Sequence, residues 1–117
     1  MPLGNITSIL VANNTTATVI KAGPGQVIAV EGYNNGTTQA YIKIYNATSA
    51  TAGSGTPQAR YFIPGGANAN QALPLVSEPS SPDIYTTGIT VIVTTGYADN
   101  DTGAPAASQF IVNIHWA

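Results

Sequence analysis

Three short stretches of strict alternation constrain this chain more than anything else in it. AYIKIYN (40–46) puts Ile42 and Ile44 on one side and Tyr41, Lys43 and Tyr45 on the other. GITVIVTT (88–95) does the same with Ile89, Val91 and Val93, and QFIVNIHW (109–116) with Phe110, Val112, Ile114 and Trp116. A period of two is the signature of a strand with one buried face, because successive side chains point to opposite sides of a pleated backbone. These three faces are the best core candidates.

The remaining sequence supplies strands and turns but little helix. Thr, Val, Ile, Tyr and Gly recur in bursts between turn residues, while the strong helix formers are scarce. Strands are expected at roughly 6–11, 15–21, 26–33, 38–46, 58–63, 71–77, 85–95 and 108–116. That number and spacing predict an all-β single domain, a jelly-roll-like antiparallel β-sandwich. Residues 15–117 form the sandwich, with 1–14 as an N-terminal arm or edge strand. GYNNGTT resembles a tight Asn-Gly turn, so 26–33 and 38–46 are expected to pair as a hairpin. TSATAGSGTPQ (48–58) and PGGANANQ (64–71) read as long surface loops, and SEPSSPD (77–83) as a proline-stiffened connection.

Charge narrows the function classes. Only 7% of the 117 residues are charged, against about a quarter in typical soluble domains. Three scattered cations, Lys21, Lys43 and Arg60, make no basic stripe, so nucleic-acid binding through phosphates is not expected. No apolar run reaches the ~18 residues of a membrane span, and MPLGNITSILVANN has no basic, apolar export signal. The expectation is a chain made in a cytoplasm. Six Asn-x-Ser/Thr triplets, beginning at Asn5, Asn13, Asn14, Asn35, Asn46 and Asn100, follow from the abundance of Asn and Thr. With no cysteine, disulfides and thiolate zinc sites are impossible.

Catalysis finds few parts. The one histidine, His115, has no nucleophile elbow to serve, since Gly-x-Ser-x-Gly is absent. It is expected to be structural, near a sheet edge or a subunit contact. Asp99 and Asp101 in TTGYADNDTGAPAASQF stand two residues apart, as at the start of a calcium loop, and Gly103 follows. The distal acid such a loop needs is missing, because residues 104–117 hold no carboxylate. A turn shaped by Asp side chains bonding to nearby amides is the favoured reading, with a weak cation site at Asp99 and Asp101 as the alternative. KAGPGQ and TAGSGT lack the lysine and following helix of a phosphate loop. The chain is expected to be no enzyme and to need no cofactor.

The order of segments adds a resemblance. VIKAGPGQVIAVEGYNNG, YIKIYNATSATAGSGTP, YFIPGG and GITVIVTTGYADNDTGAPAASQFIVNIHWA are similar to a family of small tailed-bacteriophage virion proteins that decorate, or cement, the capsid. The likeness runs from about Ala17 to Ala117, and departs from the family where Ser108 and Gln109 replace a Gly-acid pair. It implies a non-enzymatic subunit, a homotrimer, on the outer virion surface, bound to the major capsid protein between capsomers. Tyr41, Tyr45 and Tyr97 are interface candidates if the subunit itself leaves them uncovered, since Tyr is enriched at interfaces. A second reading is a surface module that binds glycan or receptor, with Tyr97 beside a cation held by Asp99 and Asp101.

Overall fold

The computed structural model describes residues 4–11, 15–65, 73–77, 82–105 and 110–117. Among these residues there is no helix, and nine strands form: β1 (Asn5–Leu10), β2 (Thr18–Lys21), β3 (Gly25–Asn34), β4 (Ala40–Tyr45), β5 (Ala59–Ile63), β6 (Leu73–Ser77), β7 (Asp83–Tyr85), β8 (Ile89–Thr94) and β9 (Phe110–Trp116). One sheet runs β1-β9-β3-β6 with β7 also on β3, and the second runs β2-β8-β4-β5. All pairings are antiparallel. From the ends inward, β1 meets β9, β2 meets β8, β3 meets β6 and β7, and β4 meets β5, alternately in the first and second sheet. The chain is thus one long antiparallel hairpin rolled into two facing sheets, which is the jelly-roll β-sandwich expected from the sequence.

The three alternating stretches form the middle of the core. Ile42, Ile44, Ile89, Phe110, Val112 and Ile114 are fully buried, Val91 and Val93 nearly so, and Trp116 packs at the margin. Each such side chain contributes about 1.5–3 kcal/mol by leaving water, a large share of what holds together a domain in which only 7% of residues are charged. In β3 a register shift between Val27 and Ala29 lets both Val27 and Val30 turn inward. Gly32 faces Ile63 and Ile42 of the other sheet closely, and an added Cβ would sit 3.0 Å from Ile63 Cδ1. At one end Trp116 Nε1 donates to Thr7 Oγ1 at 2.9 Å, and Lys21 Nζ from the other sheet lies 5.7 Å from the indole centre.

Two local expectations are corrected. Strands β3 and β4 belong to different sheets and form no hairpin. Both edges of β3 are already taken, one by β9 and the other shared by β6 and β7. The intervening turn is built by a buried side chain. Asn34 Nδ2 donates to Thr38 O (2.8 Å) and Pro64 O (2.9 Å), while its Oδ1 accepts from Gly36 N (2.9 Å). This arrangement carries the chain across the sandwich instead of reversing it in plane.

The single strand expected at 85–95 is two, β7 and β8, in opposite sheets. The crossing at Thr86–Gly88 is held by Asn46, whose Nδ2 donates to Thr86 Oγ1 and whose Oδ1 accepts from Thr87 N. Gly88 allows the approach, since a Cβ there would lie 2.6 Å from Ala47 O. The residues before β2 in the expected 15–21 strand are not in a sheet, and Asn5–Leu10 is an edge strand of the sandwich. Residues 66–72, 78–81 and 106–109, which hold much of two expected loops and the Ser108–Gln109 departure, lie outside the described residues.

Candidate functional site

The outer face of the β2-β8-β4-β5 sheet is where the chain concentrates its charge. Alternation turns Ile42 and Ile44 into the core and Lys43 outward, directly opposite Arg60 on β5 and Ile92 on β8. Two like charges facing each other across a strand pair are destabilising. The loop after β8 answers this by folding back over the sheet and bringing Asp99 and Asp101 to them, so half of the chain's charged side chains meet in one place.

The two acids do different work. Asp99 forms a two-pronged pair with Arg60, Oδ1 to Nε and Oδ2 to Nη2, both 2.7 Å. The guanidinium holds the Asp99 carboxyl below its ordinary value, and Arg60 is raised in turn. Asp101 shapes the loop: its Oδ1 accepts from Gly96 N (3.1 Å) and Gly103 N (2.9 Å), and Asp101 N donates to Ala98 O. Thr95 N donates to Gly103 O and closes the loop's base. Glycine is needed at 96, because a Cβ there would lie 2.1 Å from Asp101 Oδ2.

Beneath the loop Lys43 is fully buried, with Nζ donating to Ala98 O at 2.6 Å. Burial pulls the lysine pKa below 10.5, and the nearby Asp101 and Asp99 carboxylates oppose that pull. Thr90, Ile92 and Thr94 on the same outer face are buried as well. The cover continues into the β4–β5 loop: Gly53, at φ +82°, sits so close that a Cβ would meet Thr102 Cγ2 at 2.7 Å.

Beside this cover lies an aromatic cluster. Tyr41 is 5.0 Å from Phe62, its cross-strand partner, and 6.4 Å edge-on from Tyr97, measured between ring centres. Tyr97 is 75% exposed and Phe62 44%, so a continuous aromatic surface reaches solvent next to the Arg60–Asp99 pair. Tyr45 does not join it. That ring is 5% exposed, its hydroxyl has no hydrogen-bond partner among the described residues and its pKa is pushed up by burial, so it offers no face to another molecule.

The structure also places the two acids of the loop and His115, which sits on β9 between β1 and β3 and so not on an edge strand. Asp99 and Asp101 are engaged by separate hydrogen-bond partners, a guanidinium and two backbone amides. No group of three or more His, Asp or Glu side chains suited to a metal comes together among the described residues. His115 lies on the outer face of the other sheet, where Nε2 is 2.5 Å from Glu31 Oε1, and Tyr33 donates weakly to Glu31 Oε2. A hollow of about 150 Å³ opens between the sheets, lined by Ile9, Leu10, Val11, Thr16, Thr18, Val91 and Val93, none of them titratable.

Lys43, Arg60 and Phe62 were not singled out from sequence as site residues. The available signal was a lysine inside an apolar strand, with the chain's only arginine in the next expected strand and two of five acids in one loop. No family model matches this chain, and no curated protein or solved structure does either.

Proposed function

We propose that this chain is a virion structural protein that decorates a bacteriophage capsid, binding the major capsid protein between capsomers and acting as a homo-oligomer, a trimer by family resemblance. The observation that carries the reading is the outer face of the β2-β8-β4-β5 sheet. Its few charges are neutralised within the subunit, and the surface it offers is an aromatic cluster of Tyr41 on β4, Phe62 on β5 and Tyr97 on a loop fixed by five hydrogen bonds or ion-pair contacts. A pre-ordered apolar patch with satisfied polar neighbours suits durable contact, because little ordering entropy is lost on binding and no free charge is stripped of water. Preferential binding to the assembled shell stabilises that shell by mass action.

Adding the purified protein to undecorated, expanded capsids is the direct test. Saturable binding with a raised capsid melting temperature is expected, and Tyr97→Ala with Phe62→Ala weakens it. Absence of binding sinks the proposal.

The second reading, a glycan-binding surface module, draws on the 75% exposed ring of Tyr97 beside polar Asp99 and Asn100. Its cation-assisted form is disfavoured by the engagement of both carboxylates. A glycan array read with and without chelator separates the two: ligand binding lost with chelator would revive that form.

A further inference from the structure

The rim of the sandwich carries one edge that differs from all the others. Exposed strand edges invite pairing with other chains, and proteins blunt them with short strands, lysine, proline or bulges. Here β2 has four residues, a register shift and Lys21; β5 carries Arg60; β6 contains Pro74; β7 has three residues. Strand β1, NITSIL, has six residues, no charge, no proline and an unbroken register with β9. Its other side pairs with nothing among the described residues.

Which groups that edge offers follows from the ladder. Val11 N donates to Phe110 O at 3.0 Å, continuing the β1–β9 register by one residue. Bonded and non-bonded pairs alternate in an antiparallel ladder, so Asn5, Thr7, Ile9 and Val11 aim their N–H and C=O at β9. Ile6, Ser8 and Leu10 aim theirs outward. Ile6 and Leu10 are also 65% and 61% exposed, with Ser8 exposed between them.

The geometry points to β1 as a self-association edge whose occupant is the β1 strand of a second copy, antiparallel about a two-fold axis through Ser8. In that register Ser8 faces Ser8 of the second copy, and Ile6 of each chain faces Leu10 of the other. Both flanking pairs are apolar, no like charges oppose, and the three outward residues of each strand exchange about six backbone hydrogen bonds. The two five-stranded sheets become one sheet across the dimer. A two-fold contact is isologous, so it joins one oligomer to the next and does not close a trimer. It does not rest on the capsid reading.

The test uses the whole chain and needs no partner. Sedimentation across a concentration series is expected to show a species of doubled mass. Ile6→Lys with Leu10→Lys abolishes the doubling, as does Ile6→Glu with Leu10→Glu, because each variant then opposes like charges; an equimolar mixture of the two restores it. Ser8→Pro also abolishes it, since the N–H it deletes faces outward and not towards β9. Because the chain has no cysteine, Ser8→Cys reports the axis independently by forming a disulfide-linked pair under mild oxidation, and Ser54→Cys, on an exposed loop, serves as the control. The inference is overturned if the wild-type chain shows no doubling, if both charged variants keep it, or if circular dichroism shows them folded and their mixture fails to restore it. It is equally overturned if Ser8→Cys cross-links no more than Ser54→Cys.

Discussion

The two outer faces of the sandwich are built from the same kind of alternating strand and end up in opposite environments. On the β1-β9-β3 face the outward residues stay at the surface: Ile6, Leu10 and Ile111 are exposed, and His115 and Glu31 pair with 29% of each side chain accessible. On the β8-β4 face the outward residues are buried: Lys43 lies under the 95–103 loop, with Ile92 opposite it and Thr94 at the loop's base, and Thr90 is buried where its hydroxyl donates to Ala47 O. Strand periodicity decides which side a residue faces. Whether that side meets water is decided by what the loops do, and the difference turns a surface lysine into a buried one.

The sharpest way to break the contrast is to reverse the charge beneath the loop. Lys43→Glu buries a carboxylate against Ala98 O and beside Asp99 and Asp101. Leaving an uncompensated buried charge costs about 3–5 kcal/mol, and urea unfolding is expected to show a loss of that order. The corresponding change on the open face, Ser8→Glu, should stay within roughly 0.5 kcal/mol in dilute protein. Equal losses at the two positions would mean the loop does not seal its face.

Next in size is the loop's own hinge of hydrogen bonds. Asp101→Ala leaves the Gly96 and Gly103 amides without their acceptor and removes a carboxylate that favours the charged form of Lys43. A part-buried loss of this kind costs about 1–3 kcal/mol. Asp101→Asn keeps an acceptor oxygen and should recover most of it. Amide exchange at residues 96–103 is the complementary readout, with faster exchange expected in the alanine variant and protection of β9 unchanged.

Smaller still is the pH signature of Lys43. Burial lowers its folded pKa below the unfolded 10.5, so between those values the unfolded chain holds a proton that the folded chain has lost. Stability therefore rises with pH in that window. The trend reverses once the unfolded tyrosines ionise, because burial raises Tyr45 and Tyr85 in the folded state. Lys43→Met should remove the rise and leave the later fall. A rise that persists in Lys43→Met would assign it to another group.

The sequence carried the sandwich because period-two alternation is a local property, and the three marked stretches became the core face of β4, β8 and β9. It misassigned the two places where a polar side chain redirects the backbone. Asn-Gly at 35–36 has the composition of a hairpin, yet the buried Asn34 amide binds Thr38 and Pro64 and sends the strand to the other sheet. Tyr85 through Thr94 consists of aromatic and β-branched residues apart from Gly88, and nothing else in it marks the change of sheet; the need for that glycine appears only against the Ala47 carbonyl. The site was half legible. The Asp99–Asp101 loop stood out as a turn, but its partners lie far away in the chain, Arg60 being 39 residues from Asp99 and Lys43 55 residues from Ala98, and contacts of that range are fixed by topology and not by spacing.

The smallest expected effect lies at the loop's outer edge, in the Arg60–Asp99 pair, which is 42% and 37% exposed. Water and salt screen such a pair, so Asp99→Asn should shift the melting temperature little near neutral pH. The pair's contribution has a definite pH sign. The Asp99 carboxyl is held below its ordinary 3.8, so its contribution is complete above that value and disappears as pH falls through the lower folded value. Comparing acid unfolding of the wild type with Asp99→Asn isolates it: the two curves should converge at low pH and separate slightly above 3.8. Charge neutralisation at Asp99 also leaves Arg60 facing Lys43 without its counter-ion. If Asp99→Asn instead destabilises as much as Asp101→Ala at neutral pH, the loop is held mainly by charge at its rim and not by the amides at its base.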